Sequence, residues 1–170
     1  QIIIRGDRIK HNFRNMNSII SNFYAAFAEL DAEAMVSHYH DEIVFQDPAF
    51  GELKGERAKN MWKMLCQSQK GKDFRVEYSD VSSNGIRAKA YWEAHYNFSQ
   101  TGRKVHNKIN ASFTFKDGLI VRHDDSFNLQ NWAKQAMGFK GWLIGGTGFF
   151  QKKLNDQTNR MLDKFEAKQK

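Results

Sequence analysis

Cysteine, proline and long apolar runs are scarce in this chain. One cysteine, Cys66, stands among 170 residues. That excludes an intrachain disulfide and any zinc site built on several thiolates. Its neighbours in sequence include no activating base, so it reads as a packed thiol. The single proline, Pro48, lacks an N–H and ends the pairing of the strand before it. No apolar run approaches the roughly 20 residues of a membrane-spanning helix. The longest, residues 142–150, contains Gly145, Gly146 and Gly148 and follows Gly141. It reads as a flexible segment, either a lid with glycine hinges or, preferably, a surface strap. Residues 2–4 are too short for a signal-peptide core. A soluble, cytoplasmic protein is expected, with whatever precedes Gln1 left open.

The net charge is +7, yet no nucleic-acid recognition motif accompanies it. Arg5, Arg8, Lys10 and Arg14 oppose only Asp7 near the start. After residue 150, Lys152, Lys153, Arg160, Lys164, Lys168 and Lys170 oppose Asp156, Asp163 and Glu166. These are solvated helical faces, and neither a nucleic-acid nor a membrane partner is expected. Aromatics make up 14% of the chain and 14 of them are Phe, which suits a large apolar interior or cavity and argues against disorder. The length fits one domain over 1–170, with a core at about 9–138 and a helical extension at 139–170.

Periodicity orders the chain. Phe13, Met16, Ile20, Phe23, Phe27 and Leu30 recur every three or four residues and predict a long amphipathic helix. Asp31 caps a short second helix carrying Met35, Val36 and Tyr39. A strand follows in which Ile43, Phe45 and Asp47 share one face, so an acid ends an apolar row. Gly51 and Gly55 bracket a turn before a third helix with Ala58, Met61, Trp62 and Leu65 on one side. Strand alternation then takes over. Phe74, Val76 and Tyr78 open it, and Ala88, Ala90, Trp92, Ala94 and Tyr96 share one face of the next strand. Val105, Asn107, Ile109, Ala111, Phe113 and Phe115 form a further row. Leu119, Val121, His123, Asp125 and Phe127 form the last, with turns at Asn84-Gly85, Thr101-Gly102 and Asp117-Gly118. Helices near 128–137 and 151–168 finish the chain. Helices first and an antiparallel meander after them give an α+β domain with helices on one face of a strongly curved sheet.

The pattern Asp31-x-x-Ala34, Tyr39, Asp41, Phe45-x-Asp47-Pro48, Gly55, with hairpins at Gly102 and Gly118, resembles a cone-shaped superfamily. Its members include nuclear transport factor 2, ketosteroid isomerase and SnoaL-like polyketide cyclases. The resemblance covers roughly residues 13–127. It implies the cone fold, and it places Asp47 where ketosteroid isomerases keep their general base. That family's oxyanion hole needs a tyrosine and a protonated aspartate. Here Phe23 stands at the tyrosine position, with Tyr24 one residue off the face, and Ala111 stands at the aspartate position. Ketosteroid isomerisation is therefore not expected. Relatives among SnoaL-like cyclases and limonene epoxide hydrolases also use carboxylates inside the cone.

The candidate site follows from strand parity. His123 and Asp125 share the inward face within reach of Asp47, and two close carboxylates in an apolar pocket give one acid and one base. Asp47, His123 and Asp125 are the catalytic candidates. Phe23, Phe27, Tyr39, Trp62, Trp92, Tyr96, Asn107 and Phe113 are the ligand-lining candidates, with the Tyr39 hydroxyl expected on Asp47. The bland alternatives are an Asp-Pro turn starter at Asp47 and a core filled by its own aromatics. His38 and His40 point apart, so no metal is expected, and no cofactor either. The expected ligand is small and apolar, bearing a carbonyl or hydroxyl. The expected chemistry is cofactor-free isomerisation, cyclisation or hydration of the epoxide-hydrolase type. The alternative is a non-catalytic binding or assembly module. A homodimer through the outer sheet face is expected, with Tyr91, Glu93, His95 and Asn97 on that face.

Overall fold

The computed structural model describes residues 4–169, with side-chain surroundings from Met16 onward. The expectations placed on Phe13, on Arg5, Arg8, Lys10 and Arg14, on residues 2–3 and on Lys170 lie outside those described residues. The elements run α1 (Ile4–Ala28), α2 (Ala32–Val36), β1 (Tyr39–Asp47), β2 (Gly51–Lys54), α3 (Glu56–Gln69) and β3 (Arg75–Asn84). Then come β4 (Arg87–Asn97), β5 (Lys104–Lys116), β6 (Leu119–Ser126), α4 (Leu129–Met137), α5 (Phe139–Ile144) and α6 (Gly148–Ala167). Asp31 caps α2 as expected, accepting from the Ala34 N–H at 3.0 Å.

One six-stranded sheet has the order β2-β1-β6-β5-β4-β3. All neighbours are antiparallel except β1 and β6, which run parallel. The sheet is curved and unclosed, and α1 and α3 fill its concave side. The expected α+β cone is what forms. Its inner rows are apolar because the strands alternate: Ala88, Ala90, Trp92 and Ala94 on β4 face Val105, Ile109, Ala111, Phe113 and Phe115 on β5, all buried. Ile20, Phe23, Tyr24 and Phe27 of α1 share one core cluster with these rows except Val105, which packs with Trp132, Ala133, Ala136 and Phe150 in a second cluster.

Four expectations are corrected. Tyr39, expected on the second helix, opens β1 instead, because α2 stops at Val36. The stretch between Gly51 and Gly55 is not only a turn, because its residues pair with β1 as the edge strand β2. On β6, Thr114 pairs with Arg122 while Phe115 pairs with Ile120. Val121 is thus an extra residue, a bulge that flips the parity. Ile120 is fully buried, whereas Leu119 and Val121, expected inside, are only half-buried. His123 and Asp125 lie beyond the bulge and keep their inward face. Finally, residues 142–150 are not a flexible strap. They form the end of α5, a short turn and the start of α6.

Helix α6 begins at Gly148, earlier than the periodicity indicated, with the Thr147 hydroxyl capping it on the Phe150 N–H at 3.1 Å. It reaches back over the molecule. Leu162 is fully buried in the main core. Arg57 of α3 bridges to Glu166 at 2.7 Å and to Asp163 at 2.9 Å.

Candidate active site

Five polar side chains meet inside the cone, delivered by four elements of the fold. Tyr39 opens β1, Trp62 sits mid-α3, Trp92 faces inward from β4, and His123 and Asp125 lie two residues apart on β6. The Trp62 Nε1–H donates to the Tyr39 Oη at 2.7 Å. Tyr39 Oη is 2.7 Å from His123 Nδ1, and His123 Nε2 is 3.0 Å from Asp125 Oδ1. The Trp92 Nε1–H donates to the same carboxylate oxygen at 3.2 Å. The expected Tyr39–Asp47 link is therefore replaced by a Tyr39–His123 link.

The donor inventory fixes the direction of this chain. An indole N–H can only donate, so the Tyr39 oxygen accepts. Its own hydroxyl hydrogen then points at His123 Nδ1, which leaves the imidazole proton on Nε2, aimed at Asp125. Every hydrogen runs toward the carboxylate.

Rings enclose the chain. Phe113 lies 4.4 Å from the His123 ring, Phe45 5.3 Å and Phe23 5.6 Å, and Trp62 stacks on it at 5.9 Å. Phe27 packs edge-on against Trp62 at 5.1 Å and against Trp92 at 5.6 Å. His123 is fully buried and Asp125 nearly so. Burial first, and the nearby Asp125 second, hold the Tyr39 hydroxyl well above its ordinary pKa, against the hydrogen bond from Trp62.

Tyr24, expected one residue off the inward face of α1, also faces in. It is buried as deeply as Phe23, packed on Tyr78, Trp92 and Phe113. Among the described residues its hydroxyl has no hydrogen-bond partner. Burial, Asp125 and then Tyr39 raise its pKa well above the ordinary value, so this hydroxyl keeps its proton and lies in the field of the Asp125 carboxylate. A signal was present: Ile20, Tyr24 and Phe27 are themselves spaced four and three residues apart. The curved sheet wraps more of α1 than one narrow stripe, so both residue 23 and residue 24 face in.

Asp47 forms the turn of the bland reading. Its Oδ1 accepts from the N–H groups of Ala49 at 3.0 Å and Phe50 at 2.6 Å, an Asx turn around Pro48. Burial raises its pKa to about 7, the two backbone hydrogen bonds oppose the rise, and Asp125 adds to it. Asp47 in turn raises the Tyr96 hydroxyl, after burial and against the hydrogen bond from the Trp132 Nε1–H at 2.8 Å. Helix α6 holds the turn from outside. Asn155 donates to the carbonyls of Pro48 at 2.9 Å and Ala49 at 2.7 Å, Thr158 to Ala49 at 2.9 Å, and Asn159 to Phe50 at 2.9 Å.

Asn107 does not join the group. It is half-buried in an open recess of about 580 Å³ between β5 and α4, with Arg103, Lys108, Asn128 and Lys134. A second recess, of about 340 Å³, lies along Lys89, Asn110, Ser112 and Asp124 and touches Asp125. Neither is lined by Asp47. Cys66 is the packed thiol expected: its Sγ lies 3.6 Å from Met35 Sδ, and burial pushes its pKa up to about 11.

On the outer sheet face, Glu93, His95 and His106 bring possible metal-ligand atoms within 4.8 Å of one another. His106 Nε2 is already bound to the Glu93 carboxylate, and the Arg75 guanidinium lies 3.4 Å from His95 Nε2. The two imidazoles stack at 3.9 Å, 22° from parallel.

A SnoaL-like domain model matches residues 20–123. The chain belongs to the SnoaL-like domain family. An epoxide hydrolase of M. tuberculosis of the limonene epoxide hydrolase-like kind is 18% identical, with a TM-score of 0.58 over 78% of this chain and 92% of that one. TerC, co-crystallised with polyporic acid, is 18% identical with a TM-score of 0.61, over 71% and 97%. A nuclear transport factor 2-like protein of unknown function from Burkholderia pseudomallei is 14% identical with a TM-score of 0.62, over 72% and 98%. At such identities the likeness establishes the fold alone. No curated protein matches the chain.

Proposed function

We propose that this protein is a cofactor-free acid–base enzyme acting on a small apolar ligand that carries a carbonyl, hydroxyl or epoxide oxygen. The observation that carries this reading is the Tyr24 hydroxyl, fully buried, without a partner among the described residues and in the field of Asp125. A core has no structural use for such a group, whereas a ligand oxygen would satisfy it. In this reading Tyr24 donates to the ligand oxygen. Asp125, steadied by His123 and Trp92, faces the reacting carbon or an attacking water. Asp47, with a pKa of about 7, gives or takes the second proton near neutrality. Reactions of the isomerase, cyclase or hydratase type, including epoxide hydrolysis, need only these parts. An epoxide hydrolase and a polyporic-acid-bound protein among the structural neighbours are in keeping with it.

The test is turnover of a panel of small enones, hydroxy-ketones and epoxides by wild type, Asp47→Asn and Tyr24→Phe. Conversion of at least one compound, slowed roughly 100-fold or more in both variants at unchanged thermal stability near pH 5, is the expected result. Full activity in Asp47→Asn would remove Asp47 from the mechanism.

A second reading has its own support. Phe23, Phe27, Trp62, Trp92 and Phe113 fill the cone by packing on one another, and neither recess reaches Asp47. A non-catalytic module that dimerises through Tyr91, Glu93, His95 and Asn97 would need no more. No turnover and no ligand-induced rise in melting temperature, together with a dimer disrupted by Glu93→Arg, would favour it.

A further inference from the structure

The α5 hairpin inverts the usual pattern of a surface helix. Its small residues face inward and its large apolar residues face out. A Cβ on Gly141 would lie 2.1 Å from the Ala133 carbonyl oxygen, and one on Gly145 would lie 2.6 Å from the Ala133 Cβ. These two glycines, four residues apart, press α5 onto α4. Phe139 and Leu143 therefore project from the opposite side, 71% and 56% exposed. Trp142 stacks on Phe139 at 5.7 Å, and with Ile144 and the 77% exposed Phe149 it completes an apolar patch. Scattered exposed hydrophobics need no explanation, but five large ones on one short hairpin mark a surface made to be covered.

The charge around the patch has one sign. Residues 126–155 contain Lys134, Lys140, Lys152 and Lys153 and no Asp or Glu. Lys152 pairs with Asp156 at 2.9 Å, while Lys134, Lys140 and Lys153 make no ion pair among the described residues. A second copy of the chain docking patch to patch would bring two sets of lysines together, with Asp156, already paired with Lys152, the one acid beside them in sequence. An anionic lipid surface suits both halves of the pattern. Aromatic and aliphatic side chains enter the headgroup boundary and lysines meet the phosphates.

We propose that the α5 hairpin is a peripheral membrane-docking element that seats residues 139–149 in the interface of a bilayer containing anionic lipid. No helix among the described residues is long and apolar enough to cross a membrane. The sequence-based expectation of no membrane partner rested on that lack, but a hairpin lying in the interface needs no span. The site stands apart from the cone and does not depend on the acid–base reading.

Flotation with phosphatidylcholine vesicles containing roughly one part in three of phosphatidylglycerol tests it. Tryptophan emission gives a second, local readout, because Trp62, Trp92 and Trp132 are already buried and Trp142 alone has room to shift to the blue. Co-flotation with a blue shift, weakened about tenfold or more by Leu143→Ser with Phe149→Ser, is the expected result. Lys140→Glu and Lys153→Glu should each weaken binding roughly fivefold or more. These residues are exposed and outside the cone, so circular dichroism should show both variants folded. Absence of flotation, or equal binding to pure phosphatidylcholine, overturns the proposal. So does a blue shift without vesicles that grows with protein concentration, tracks a dimer in sedimentation and vanishes in Leu143→Ser; the patch would then cover a second copy.

Discussion

The cone interior and the α5 hairpin draw on the same residue types and use them in opposite ways. Inside the cone, Phe, Trp and Tyr rings pack on one another, and Tyr39, Trp62, Trp92, His123 and Asp125 are linked by hydrogen bonds. On the hairpin, Phe139, Trp142 and Leu143 stand in solvent because Gly141 and Gly145 occupy the contact with α4. Hydrophobicity alone does not decide burial. The residues sharing a helix face with the large ones, and the shape of the surface opposite, decide it.

Substitutions can break this contrast, starting where the interior is most tightly bound. Trp62→Ala removes ring contacts and the hydrogen bond to Tyr39, and should cost about 4 kcal/mol in chemical denaturation. His123→Leu should cost about 3 kcal/mol by leaving the buried Asp125 without its imidazole partner. The double variant His123→Leu with Asp125→Leu should be more stable than the single one. If instead the two losses simply add, the chain of hydrogen bonds is not a coupled unit.

Gly141→Ala should cost about 2 kcal/mol, because its Cβ meets backbone rather than a movable side chain. The same substitution at the exposed Gly146 should be close to neutral, and equal losses at both would argue against a close α4–α5 contact.

Asp47 gives the smallest and most conditional effect. Its folded pKa, about 7, lies above its ordinary value of 3.8. The folded state therefore holds a proton that the unfolded chain has released, and stability falls as pH rises from about 4 through 7. The side chain is half-buried, so solvent screening limits the difference to about 1–2 kcal/mol. Asp47→Asn should match wild type near pH 4, gain that margin by pH 8, and keep the Asx turn through its amide oxygen. A melting temperature for wild type that rises over this range would contradict the burial of the carboxylate.

Much of this was legible in the residues. Alternation along β4 and β5, the Asp31 cap, and the glycine turns at 85, 102 and 118 all follow from local rules, and His123 and Asp125 were correctly paired on one face. The bulge at Val121 was not legible, because a single inserted residue leaves an apolar alternation looking intact. Tyr24 was set aside because a one-stripe view of α1 assumes a flat partner. The partner of Tyr39 depended on how far β1 and β6, distant in sequence, overlap in parallel register. The clamp of Asn155, Thr158 and Asn159 on the Asp47 turn was invisible for a related reason. Amides on an exposed-looking helix carry no periodic signal for the carbonyls they meet.

Local preference and periodicity, which act over three to seven residues, let the sequence by itself determine the elements, their inward faces and the family they spell. The tertiary structure decided which polar atoms meet, because hydrogen bonds between residues 39, 62 and 123 depend on strand register and sheet curvature. It also decided which apolar residues stay outside. Two glycines seated against Ala133 turned what read as a loose strap into a helix with its rings facing the solvent.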